Sequence, residues 1–254
     1  MHTVQIVFSP TGGTQKVLDT ITSEWKQPVK TVDLSDAAFN FSNLGLAQDD
    51  LAVIAVPSFG GRVPALAAQR LGEIQGNQAL CVVVCVYGNR AYEDTLIELS
   101  DVAEKSGFRV IASIAAIAEH SIMHEYATGR PDEQDKSELR DFAHKILEKI
   151  NGNANLSTPQ IPGNRPYKKA GGVGLVPKAD RKCNACGLCA EKCPAQAISK
   201  ENPKETDSKK CISCMRCVSI CPQSARKVNA AMVSVAALAI KKACSERKKN
   251  ELFC

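Results

Sequence analysis

The chain has 254 residues, 44% apolar and 23% charged, which suits one large or two smaller packed domains and excludes a largely disordered chain. No apolar run approaches the roughly 20 residues needed to cross a bilayer, and no basic stretch precedes the first apolar segment as in an export signal, so a soluble cytoplasmic protein is expected. Net charge is +5, but residues 1–150 carry 13 Lys+Arg and 20 Asp+Glu (net −7), while residues 151–254 carry 19 and 7 (net +12). That basic half lacks aromatic residues interleaved with its lysines, so nucleic acid is not an expected partner.

In chain order, residues 3–8 (TVQIVF) read as a strand and 14–25 as a helix. Residues 29–34 form a second, β-branched strand, and 51–56 (LAVIAV) and 79–86 (ALCVVVCV) are continuous apolar runs, as expected of strands buried on both faces. Helices are predicted over 64–71 and 91–105, a fifth strand over 108–117, and a long helix from Pro131 to about Ile150. Strands alternating with helices imply a doubly wound five-stranded parallel sheet of order 2-1-3-4-5 over residues 1–150, whose ligands bind beyond the carboxyl ends of the strands. Residues 151–178, rich in Gly, Pro and Asn, read as a linker with a reach of roughly 30 Å if free. Residues 179–229 hold most of the cysteines, and 230–254 read as a helix followed by a basic tail. That helix is expected to dock on the cysteine module or the linker or, in the alternative reading, to lie on a membrane surface.

Twelve cysteines without an export signal point to metal rather than disulfides. Cys81 and Cys85 fall in an apolar strand and read as small core residues; Cys244 and Cys254 lie near the end. The other eight form C-x2-C-x2-C-x3-C-P twice: Cys183, Cys186, Cys189 and Cys193 before Pro194, and Cys211, Cys214, Cys217 and Cys221 before Pro222. Three closely spaced cysteines wrap one cubane, and the fourth reaches the opposite one. The expected quartets are Cys183, Cys186, Cys189 and Cys221 for one [4Fe-4S] cluster, and Cys193, Cys211, Cys214 and Cys217 for the other. Zinc favours paired C-x2-C knuckles with a longer gap, which this repeat is not. The stretch resembles bacterial two-cluster [4Fe-4S] ferredoxins, which implies a small α+β domain.

After the first strand come Ser9, Pro10, Thr11, Gly12, Gly13 and Thr14, then a helix. Such a turn aims backbone N–H groups at an anion, and the hydroxyls add donors. It lacks the lysine of a nucleoside-triphosphate loop and the G-x-G-x-x-G of a dinucleotide site, and suits the single phosphate of FMN. Strand three runs into Pro57, Ser58, Phe59, Gly60, Gly61, Arg62, Val63 and Pro64; strand four runs into Tyr87, Gly88, Asn89, Arg90, Ala91 and Tyr92. Ser58, Phe59 and Gly60, with Gly88, Asn89 and Tyr92, are the expected flavin contacts there. Glu119 and His120 follow strand five, where loop hydrogen bonding is the favoured role over proton transfer; His124 and His144 read as structural.

These loops make residues 1–150 similar to flavodoxins, with Ser9 in place of the first threonine of T-x-T-G-x-T. Together with Glu119, His120 and Ser121 and the segment Gly129, Arg130, Pro131 and Asp132, they resemble flavodoxin domains fused to ferredoxins in anaerobic bacteria. The resemblance implies an electron carrier relaying electrons between FMN and two [4Fe-4S] clusters, with redox proteins as partners and no particular substrate. The alternatives are an FMN-dependent oxidoreductase that uses the clusters as a wire to a small acceptor, and a ferredoxin whose FMN-free flavodoxin fold serves for docking.

Overall fold

A computed structural model describes residues 2–152, 156–171 and 174–254. Five parallel strands, β1 (Thr3–Val7), β2 (Val29–Asp33), β3 (Leu51–Pro57), β4 (Leu80–Tyr87) and β5 (Arg109–Ile117), stand in the order β2-β1-β3-β4-β5. Helices α1 (Gly13–Thr22) and α4 (Glu133–Asn151) cover one face, where Val17, Leu18 and Ile21 meet Leu139, Ala143 and Ile146. Helices α2 (Ala65–Gly72) and α3 (Thr95–Lys105) cover the other. Burial on both faces explains the unbroken apolar runs of β3 and β4. Cys81 and Cys85 are wholly buried in β4, and desolvation raises both thiol pKa values, as expected of core residues.

Two elements differ from expectation. Helix α3 begins at Thr95 rather than near 91, because the preceding turn is left-handed at Glu93 and bonded through Asp94. The basic tail is not free: Glu251–Phe253 form β8, antiparallel to β5, which makes the sheet six-stranded. No apolar run announces a strand of 3 residues.

The predicted linker is pinned where it is described. Asp94 accepts from the Asn164 amide (2.8 Å), Asn164 Nδ2 (3.0 Å) and the Lys168 amide (2.7 Å). Arg165 and Tyr167 donate to Asp101, the Arg62 guanidinium lies 4.9 Å from the Tyr167 ring, and Ile161 enters the core beside α3. The backbone bonds hold the Asp94 carboxyl below its ordinary range. The linker stretches at 153–155 and 172–173 lie outside the described residues.

The cysteine-rich module has a two-stranded sheet, β6 (Lys178–Ala179) with β7 (Arg226–Lys227), and the one-turn helices α5 (Leu188–Glu191) and α6 (Arg216–Ser219). Helix α7 (Ala230–Cys244), expected to dock on the cysteine module or the linker, bonds instead to the first domain, whose Tyr126 and Asn89 supply donors for its carbonyls. Its Ala237 carbonyl accepts from Tyr126 Oη (2.7 Å), and its buried residues are Ala237 and Cys244. Among the described residues no helix is long and apolar enough to cross a membrane.

Candidate functional site

The carboxyl ends of β1, β3, β4 and β5 open into a cleft of about 760 Å³, counting its open side. From the β1 loop, Pro10, Thr11, Gly13 and Thr14 line it. Gly12 caps α1 with φ 90°, a left-handed conformation suited to glycine. Ser9 Oγ accepts from the Gln15 amide (3.0 Å), occupying one free donor of the helix start. The amides of Thr11, Gly12, Gly13 and Thr14 find no acceptor among the described residues, which leaves a ring of N–H donors at a helix N-terminus. That donor set fits a phosphate.

The β3 loop contributes Ser58, Phe59 and Gly60. Ser58 Oγ lies 2.7 Å from Thr95 Oγ1, and Phe59 meets Phe8 edge-on at 6.5 Å. The loop is braced by Arg62, whose Nε and Nη2 each donate to Glu98 at 2.7 Å. From β4, Tyr87 and Gly88 face the cleft. Asn89 and Tyr92, expected at the flavin, do not line it. Asn89 Nδ2 donates instead to the carbonyls of Cys244 (3.0 Å) and Glu246 (2.8 Å), and Tyr92 Oη donates to Glu251 (2.8 Å). Both side chains are held by the chain's last residues, a partner that local sequence near position 90 does not reveal.

Two further segments join the cleft, the first already singled out after strand five and the second not expected there. Glu119, His120, Ser121 and Ile122 follow β5. The His120 ring packs so closely on Gly88 that a Cβ there would stand 2.6 Å from its Cδ2. Glu119 accepts from the Gly129 amide (2.9 Å) and pairs with His124 (2.7 Å), and these contacts lower its pKa; His144 lies 3.1 Å from Glu24. The second segment comes from the cysteine module: Ile212, Ser213 and Cys214 line the same cleft.

Two further cavities lie inside that module. One is lined by Cys193, Cys211, Cys214 and Cys217. The other is lined by Cys183, Cys186, Cys189 and Cys221. Each takes three cysteines from one motif and the last cysteine of the other. Among the described residues no three metal-binding side chains converge at single-ion distances. Four thiols spread round a cavity suit a cubane better than a lone ion. Burial pushes the Cys214 thiol up to about 11 and Cys217 up to about 12, so loading a cluster here has to displace protons. Cys193 and Cys221 each accept a backbone amide at 3.3 Å, from Ala197 and Ala225.

The module is fastened to the first domain beside the cleft. Arg70 donates to the Pro194 carbonyl (2.9 Å), Arg216 to Asp33 (3.2 Å) and to Ser35, and Ile212 packs against the main core.

Residues 182–226 match the family described as 4Fe-4S dicluster domain. No curated protein matches the sequence. Among solved structures, rubredoxin oxygen:oxidoreductase from the anaerobe Desulfovibrio gigas aligns at 15% identity and TM-score 0.43 over 59% of this chain, which spans only 36% of that protein. A flavodoxin from Streptococcus pneumoniae TIGR4 aligns at 19% identity and TM-score 0.40 over 58% of this chain and 99% of its own. Fusobacterium nucleatum flavodoxin bound to flavin mononucleotide aligns at 18% and 0.41 over 59% and 99%.

Proposed function

Taking the chain as a flavodoxin-like α/β domain joined to a 4Fe-4S dicluster domain, we propose that it relays electrons between FMN in the sheet-end cleft and two [4Fe-4S] clusters. The observation that carries this reading is the position of Cys214. It lines the cleft, and with Cys193, Cys211 and Cys217 it also lines the adjoining cavity. One side chain thus borders both sites, so electrons need cross no solvent between them. When bound, FMN supplies one- and two-electron chemistry and each cluster one-electron chemistry.

The protein's own contribution is binding, orientation and shielding. The amides of Thr11–Thr14 receive the phosphate, while Phe59, Tyr87 and Ile212 supply the apolar walls of the ring site. The two crossed cysteine quartets would hold the clusters, one in the cavity that shares Cys214 with the cleft and the other in the cavity lined by the exposed Cys186.

Anaerobically purified protein is expected to contain eight irons, eight sulfides and one FMN per chain, and reductive titration should bleach flavin and cluster absorbance together. Zinc in place of iron would end the cluster assignment. Protein that stays FMN-free after reconstitution would leave a ferredoxin with an empty docking fold. Cluster reduction that never reaches the bound flavin would end the relay.

A further inference from the structure

The two cysteine motifs repeat beyond their prolines, as Cys193, Pro194, Ala195, Gln196, Ala197, Ile198 against Cys221, Pro222, Gln223, Ser224, Ala225, Arg226. The halves also match in geometry, since Ala197 and Ala225 each donate their amide to the preceding ligand sulfur at 3.3 Å. Ile198 is an ordinary buried residue lining the cavity beside the cleft. Its counterpart Arg226 lines the outer cavity and is only 2% exposed.

A guanidinium in the place of an isoleucine needs an explanation. Arg226 donates through Nη1 to Thr206 Oγ1 (2.6 Å) and the Pro177 carbonyl (3.4 Å), and through Nη2 to the Pro203 carbonyl. Its Nε has no partner, and among the described residues no carboxylate pairs with it. Carbonyl dipoles fix its position but leave its charge uncompensated, and a buried charge without a counter-ion is strongly disfavoured. The guanidinium lines only the cavity bounded by Cys183, Cys186, Cys189 and Cys221, while its Nη1 partners Thr206 and Pro177 line the inner one; the counter-ions within reach would be the thiolates of a loaded outer cluster.

We propose that Arg226 is the fixed counter-charge of the cluster pair and that it sets the outer cluster at the higher potential of the two. This rests on the two-cluster reading above. Each cluster becomes one charge more negative on reduction, so a nearby fixed cation favours the reduced form and raises the potential. The effect is larger for the cluster whose cavity Arg226 lines. The two clusters, built on one repeated motif, are thereby made unequal. With both clusters bound, Arg226 would favour rest of an electron from the cleft on the outer one. Arg226 is a positioning and tuning residue that touches no substrate.

The test is an anaerobic redox titration of the full chain followed by EPR. Wild-type protein should show two resolved cluster potentials. Arg226→Met, with eight irons retained, should lower the higher potential more than the lower one and narrow the gap, while Arg226→Lys should keep the wild-type gap. Unmoved potentials in a fully loaded Arg226→Met protein, or a Lys variant that shifts as far as Met, would overturn the proposal. If Arg226→Met and the neutral polar variant Arg226→Gln both lose a cluster, restoration of eight irons and the wild-type gap by Lys supports it, and failure of Lys overturns it. Fewer than eight irons in the wild-type protein would instead defeat the two-cluster reading itself.

Discussion

His120 Nδ1 accepts the amides of Ile122 (3.2 Å) and Met123 (3.1 Å), so in the neutral ring the proton resides on Nε2. Burial, reinforced by His124, holds its pKa below the ordinary 6.5. The unfolded chain therefore takes up this proton before the folded one does. The stability tied to the neutral ring is present above about pH 6.5 and is lost as pH falls toward the lowered folded pKa. Urea unfolding at pH 8 and pH 5.5 should show this loss in the wild type and a smaller one in His120→Asn, whose side-chain oxygen can still accept an amide. The same ring limits Gly88. A Cβ there would stand 2.6 Å from Cδ2 and 2.7 Å from Cβ of His120, so Gly88→Ala must displace the ring across the cleft wall. A loss of FMN affinity of about tenfold, about 1.4 kcal/mol, is expected in a fluorescence titration; unchanged affinity would mean the ring moves away from the flavin.

Among the strands of the main sheet, β8 is the one that no sequence pattern announces. β3 and β4 were legible because burial on both faces writes itself as apolar runs, and α4 from Pro131, although the helix starts two residues later behind the capping box of Asp132 and Asp135. β8 is held mainly by side chains that no periodicity reveals. Asn250 Oδ1 accepts from the Ile117 amide (2.9 Å), and its Nδ2 donates to Glu138 (2.8 Å) and to buried Asp135 (3.1 Å). Arg247 pairs with Asp132 (2.7 Å), and that contact depresses the Asp132 pKa. Asn250→Ala strands the Ile117 amide and should cost about 1–3 kcal/mol, read as a lower urea midpoint. It should also quicken proteolysis of the tail. The same hidden partner explains why Asn89 and Tyr92 looked like flavin contacts: their loop was legible, but what they bind lies more than 150 positions along the chain.

At the scale of the whole molecule, an acidic first domain meets a basic module, and Arg216 to Asp33 is the contact where that complementarity becomes specific. Arg216→Glu sets two like charges face to face. Electron equilibration between flavin and clusters, followed by laser-flash reduction, is expected to slow by about tenfold or more. Iron and FMN content should stay at the wild-type level. An unchanged rate would mean that Arg70 and Ile212 hold the module alone. The two cavities lined by crossed cysteines and the glycine turn that opens α1 could be read from spacing, because each is set by local sequence. The roof of the cleft could not, because Ile212, Ser213 and Cys214 reach it only through the docking of one domain on the other. The strand that borders β5 also has a consequence for biosynthesis. Asn250 follows Ile117 by 133 positions, with the whole cysteine module in between. At about 5–20 residues per second, β5 leaves the ribosome several seconds before the strand that will cover its edge. For that interval an open strand edge waits on the nascent chain.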